Sequence, residues 1–326
     1  MLFCFLIHII YLLHLFYIKC VFCVFSLHHS HNATFFLNLQ VAFRTKNIGF
    51  TGILCYNSPM KSYIDEKLFE EAKNRMYGKV QGEKGIGTLS EKSVHSVLKY
   101  YFAPNEIYHE HKIGTFVADV CIDGEIYEIQ TKQFYLMKRK LDYFLKEHEV
   151  TIVYPVSLVN TLHWVECDEN CTTNERADTA MNQIKDRRIT ISRKTRKKGI
   201  PYLFFHELYG IKDFLHHPNL HFILAIMSTE EYRLLDGYGP QKKIRATKTD
   251  KVPIELLDLI TIHKPEDYKQ LIPEGLPDEF TSDIFARKAG IGRSLAGTAL
   301  NVLYEMDVVK RVGKQGNAYV YRINES

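Results

Sequence analysis

The chain has 326 residues, enough for two domains or for one large domain with a small appendage. Its 42 Lys+Arg against 38 Asp+Glu leave a formal net charge of +4, so any preference for nucleic acid has to come from local clusters. Four of the seven cysteines (Cys4, Cys20, Cys23 and Cys55) precede the charged part of the chain, and Cys121, Cys167 and Cys171 alone exclude a disulfide framework.

From Met1 to Leu27 the sequence is almost wholly apolar, broken by His8, His14 and Lys19, and is long enough to span a bilayer. It lacks a basic leading region and a small-residue cleavage site. An ordinary charged sequence opens at Met60, so residues 1–59 read better as upstream sequence translated from a misplaced start than as a genuine anchor. The first reading implies a cytoplasmic protein, the second a membrane-anchored one.

Residues 61–77 are expected to form an amphipathic helix with Leu68, Ala72 and Met76 at helical spacing. The glycines at 78, 82, 85 and 87 follow as a linker. No strand precedes them and Lys84 is not followed by Ser or Thr, which excludes a phosphate-binding loop. Thr88 to Tyr101 reads as a second helix, with Val94, Val97, Leu98 and Tyr101 in one stripe and Thr88 with Glu91 at capping-box spacing.

The period then changes to two. Ile107 to Ile113, Phe116 to Ile122 and Glu125 to Thr131 read as strands joined by turns at Gly114-Thr115 and Asp123-Gly124. A helix containing Leu136, Met137, Leu141, Phe144 and Leu145 leads into a buried-type strand, Val150 to Tyr154, closed by Pro155. The expected order is αβββαβ. Between residues 157 and 273 the pattern is less distinct, with a basic run Arg187 to Lys198, a helix near Tyr202 to Leu215 and a core strand Leu220 to Met227.

The chemistry concentrates on Asp119 in the second strand and on Glu128, Gln130 and Lys132 around the third. Alternate side chains of a strand share a face, so Glu128, Gln130 and Lys132 point together and a hairpin partner brings Asp119 beside them. Two carboxylates so placed repel unless a cation lies between them, and Mg²⁺ takes oxygen ligands from both. The bland alternative is a solvated sheet face, with Glu91 acting only as the capping-box acid.

This arrangement resembles the PD-(D/E)XK nuclease superfamily over about Thr88 to Val156. The resemblance implies an α/β, restriction-endonuclease-like core, a mixed sheet flanked by helices, that hydrolyses phosphodiester bonds in DNA with Mg²⁺. Carried over, Asp119 and Glu128 would be metal ligands, Gln130 or Lys132 would orient the attacking water, and Glu91 would support the metal through a water. Ala118 precedes Asp119, and Gln130 stands where the motif has lysine, as in branches carrying Glu-x-Gln. The alternative function is a non-catalytic DNA-binding regulator on a degenerate nuclease fold.

His163, Cys167 and Cys171 recur every four residues, but without a fourth ligand they make a poor zinc site. From residue 280 to 326 the signals change again. Asp283 to Lys288 reads as a helix, Gly290-Ile291-Gly292 as a turn, and Ser294 opens a second helix with Leu295, Ala299, Val302, Leu303 and Met306 inward. Strands Val308 to Val312 and Ala318 to Ile323 flank a hairpin tip, Gly313 to Asn317. The segment is similar to the winged helix-turn-helix family. That likeness implies a small DNA-binding domain with Arg293, Ser294, Thr298 and Asn301 toward the groove and Lys314 and Gln315 in the wing. The expected domains are thus 60–87, 88–275 and 280–326. DNA is the expected partner; a homodimer is admitted and no small-molecule substrate is inferred.

Overall fold

A computed structural model describes residues 64–82, 93–166, 191–235 and 246–325. All of them fall in one compact unit, Leu54–Ser326. Residues 1–59, and with them the membrane-anchor reading, lie outside the described residues; among those described, no helix is long and apolar enough to cross a membrane.

Helix α1 (Glu66–Gly82) begins later than its apolar pattern suggests, because Asp65 Oδ1 accepts the Leu68 N–H and caps it. It buries Phe69, Ala72 and Met76. Helix α2 (Ser93–Phe102) buries the expected stripe of Val94, Val97, Leu98 and Tyr101. Thr88 and Glu91, the expected capping box, lie outside the described residues.

The next strands are β1 (His109–Ile113), β2 (Phe116–Ile122) and β3 (Glu125–Ile129), an antiparallel meander. Asp123 and Gly124 both have positive φ, as a two-residue turn between twisted strands requires. Helix α3 (Lys138–Phe144) then leads to β4 (Val150–Glu166), which pairs parallel to β3. The observed order from α2 to β4 is αβββαβ.

Beyond that point the sheet grows past the sequence reading. Pro155 does not close β4: the strand runs through it to Glu166, with Pro155 opposite Ala225 of β6 (Leu220–Leu235). Between residue 153, where pairing to β3 stops, and residue 159, where pairing to β5 (Ile191–Lys198) starts, β4 has a partner on one side only. The proline's missing N–H therefore falls where an edge tolerates it. Helix α4 (Leu203–Gly210) precedes β6, and β7 (Thr247–Ile262) pairs antiparallel to β6. The resulting seven-stranded mixed sheet has the order β1-β2-β3-β4-β6-β7, with β5 on the far half of β4. Residues 191–198 of the basic run thus form a strand, and the run's first four residues lie outside the described residues.

Helices cover both faces. α1 and α2 pack Phe69, Val97 and Leu98 against Ile129, Val153, Ala225 and Met227. The alternating residues of the same strands meet an aromatic cluster in which Phe204 of α4 contacts Phe134, Tyr154 and Phe222. Each fully buried Phe contributes about 1.5–3 kcal/mol relative to its exposed state, so α4 is a main fastening of this layer.

The C-terminal segment comprises β8 (Phe280–Thr281), α5 (Ser282–Ala289), α6 (Arg293–Glu305), β9 (Val309–Gln315) and β10 (Ala318–Ile323). Its sheet order is β8-β10-β9. The hairpin tip is shorter than expected, the two residues Gly316 and Asn317, with Gly316 at positive φ. Ala296, Ala299, Leu300, Val302 and Leu303 form the buried side of α6, whereas Leu295 is only partly covered. The segment packs on the body: Phe285 meets Tyr202 edge to face, and Lys212 pairs with Glu305.

Candidate functional site

Strand alternation and the β2–β3 register set the site. Val120 lies opposite Tyr127, so Asp119 and Glu128 are the next pair along the hairpin. Here the side chains bond to the facing backbones. The Asp119 N–H donates to Glu128 Oε1 (3.2 Å) and the Ile129 N–H to Asp119 Oδ2 (2.9 Å). The two carboxylates predicted from the sequence are therefore together.

Two basic side chains that sequence reasoning missed complete the group. Lys140 Nζ of α3 lies 2.6 Å from Glu128 Oε2, and His95 Nε2 of α2 lies 3.1 Å from Asp119 Oδ2. Lys140 also lies over the Phe144 ring. It precedes buried Leu141 and stands one turn before Phe144, so it flanks the apolar stripe of α3. His95 likewise sits next to Val94. These flanking positions were the only signal available.

The environments of the two acids differ. Glu128 is 4 % exposed. Burial and the Asp119 charge push its carboxyl up to about 7, against the opposing pull of Lys140. Burial also acts to raise Asp119, but the His95 ring, the Ile129 N–H and the Lys140 charge outweigh it and hold that carboxyl below the ordinary range. One acid stays ionised while its neighbour holds a proton more readily.

The other expected participants do not join them. Gln130 Nε2 donates to the Lys132 carbonyl (2.7 Å), and Lys132 is exposed; neither side chain makes a polar contact with the pair. The ammonium beside Glu128 comes from Lys140 instead. Glu91 lies outside the described residues, as do Cys167 and Cys171. His163 sits in a strand, so helical four-residue spacing does not apply to it.

Among the described residues no three His, Cys, Asp or Glu side chains converge on a ready-made metal cage. Magnesium, however, usually takes one or two carboxylates and completes its shell with water. Asp119 and Glu128 fit that donor set, and Asp119 Oδ1 is the oxygen left uncommitted by the contacts above. Thr115, Phe116, Leu136, Met137, Arg139 and Lys140 line an open cleft, which is joined to the pair through Lys140.

In the C-terminal segment Arg293, Ser294, Lys314 and Gln315 are exposed, and Thr298 and Asn301 half-buried. Arg293 Nε is paired with Asp283 (2.8 Å), and the Thr298 hydroxyl donates back to the Ser294 carbonyl.

A family model described as a domain of unknown function, DUF8091, matches residues 92–186 and 177–263. An uncharacterized protein of Treponema pallidum (strain Nichols) is 25% identical over 244 residues, covering 73% of this chain and 87% of that protein. No solved structure matches. The two family segments run from α2 to the end of β7, carry the whole carboxylate group and span more than half of the sequence; the chain belongs to the DUF8091 family.

Proposed function

We propose that the chain is a DNA-binding protein whose sheet carries a metal-dependent, nuclease-like site and whose C-terminal segment acts as a winged helix. The observation that carries this reading is the convergence of Asp119, Glu128 and Lys140 on neighbouring elements of an αβββαβ unit. In this reading the core is restriction-endonuclease-like. Asp119 and Glu128 would hold Mg²⁺, which when bound supplies an activated water and neutralises charge developing on a phosphodiester. Lys140 steadies Glu128 and adds positive charge at the mouth of the adjoining cleft. Exposed Lys194, Arg196 and Lys197 of β5 give the backbone a second basic surface.

The test is cleavage of duplex DNA with Mg²⁺ and with chelator, alongside binding. Asp119→Ala and Glu128→Ala are expected to abolish metal-dependent cleavage and leave affinity within about twofold, since these acids do not grip phosphates. Cleavage that persists in both variants removes them from the site.

A second reading, a non-catalytic regulator on the same fold, is favoured by one observation. Lys140 and His95 already partner the two acids from within the protein. Calorimetry showing no Mg²⁺ binding to the full chain, together with intact DNA binding, selects it.

A further inference from the structure

On the surface between α6 and the β9–β10 hairpin, Arg311 stands apart from the other arginines. Its guanidinium carbon lies 4.1 Å from the centroid of the Tyr304 ring and 4.2 Å from that of Tyr319, with Tyr321 at 6.0 Å. Lys314 Nζ lies over the far part of the same clamp, 5.0 Å from the Tyr319 ring. Arg311 has no carboxylate partner among the described residues, and its Nε is buried without a hydrogen bond. Arg293 and Arg322, by contrast, are paired with Asp283 and Glu279.

The clamp is open to solvent. Tyr304 is 42% and Tyr319 41% exposed, and Tyr304 continues the outward row of α6 one turn beyond Asn301. Strands β9 and β10 contain Lys310, Arg311, Lys314 and Arg322 and no acidic residue. Aromatic faces on either side restrict approach to the guanidinium edge, where its remaining N–H donors form a fork suited to phosphate. Holding the fork beforehand removes the ordering cost that a free surface arginine bears on binding.

We infer that Arg311, held between Tyr304 and Tyr319, is the anchoring contact to a backbone phosphate of duplex DNA. The inference rests on the proposal that the C-terminal segment binds DNA. It places the main phosphate contact at the base of the expected wing, next to Lys314, whereas Arg293 on α6 is already paired with Asp283.

The experiment is a salt titration of the full chain on a mixed-sequence duplex of about two helical turns, comparing wild type with Arg311→Gln, Arg311→Lys, Arg293→Gln and Lys314→Gln. Arg311→Gln is expected to lower affinity on the order of tenfold. It should also reduce the slope of log affinity against log salt by about 0.9. Arg311→Lys should keep the slope and lose part of the affinity, while Arg293→Gln should cost less affinity than Arg311→Gln. Unchanged affinity and slope in Arg311→Gln, with loss in Lys314→Gln, overturns the anchor and leaves DNA binding standing. A wild-type chain that ignores the duplex but binds polyglutamate removes the DNA reading itself. Should Arg311→Gln melt early, the Nε–H resonance of Arg311 in the wild-type protein decides: a shift on adding duplex supports the contact, and an unmoved resonance overturns it.

Discussion

Glu128 is buried in a setting that favours its neutral form, and this makes the fold sensitive to pH. Its folded-state carboxyl sits at about 7, above the ordinary 4.5, chiefly through burial and then through the Asp119 charge. A raised carboxyl stabilises the fold only while the proton is held. Stability is therefore highest below the unfolded value and declines as pH rises from about 4.5 to 7, by up to about 3 kcal/mol. Asp119, shifted downward, works in the opposite sense and only at more acidic pH. Urea unfolding in chelator from pH 5 to 8 should show wild type weakening across this window and Glu128→Gln holding level. A slope that survives in Glu128→Gln assigns the effect to another group. The two acids were legible in the sequence because strand alternation and a two-residue turn fix which residues face each other. Lys140 and His95 were not, since a polar residue beside an apolar helical stripe has the same pattern whether it meets solvent or a buried acid.

At the level of elements, a tight point lies where β4 turns from one partner strand to another. The β4–β6 register shifts between Ser157 and Val159, and Gly199, just after β5, donates its N–H to the Leu158 carbonyl at 2.8 Å. A Cβ on Gly199 would lie 2.1 Å from the Ser157 carbonyl oxygen, and because the atoms it meets are backbone, no rotamer can absorb the overlap. Gly199→Ala is therefore expected to destabilise by at least about 2 kcal/mol, measured as a lowered urea midpoint, through displacement of β5. An unchanged midpoint would mean that β5 can shift freely along β4. None of this was visible in the sequence, where Pro155 signalled the end of a strand. Proline removes a donor, but which edge misses it depends on neighbours remote in the chain. The short meander and the C-terminal helices were legible because their turns and stripes are local, whereas β5 and β7 depend on pairing with long central strands.

For the whole molecule, the central question is whether the C-terminal segment is an independent domain. Its apolar pattern is separate from that of the sheet, which suggests that residues 280–326 could be removed without harm to the body. The contacts argue otherwise. Helix α4 packs its Phe204 into the sheet's aromatic layer, while the neighbouring Tyr202 meets Phe285 of α5 at 5.9 Å with the rings at 82°. Lys212, just after α4, reaches Glu305 at the end of α6. The same short helix is thus the seat of the C-terminal segment and a fastening of the sheet, so truncation uncovers apolar surface on both sides of Tyr202. Each large side chain so exposed forfeits about 1.5–3 kcal/mol. In a body of this size 1 kcal/mol corresponds to about 2–4 °C of melting temperature. Deleting residues 280–326 should therefore lower the melting temperature by more than about 5 °C, and under the proposed function it should also remove most DNA affinity. Phe285→Ala, which leaves the β9–β10 hairpin and its basic residues in place, should reproduce part of the thermal loss with little change in the proposed DNA binding. A truncated chain that melts with the full protein would establish two independent folding units and leave Tyr202–Phe285 a contact without energetic weight.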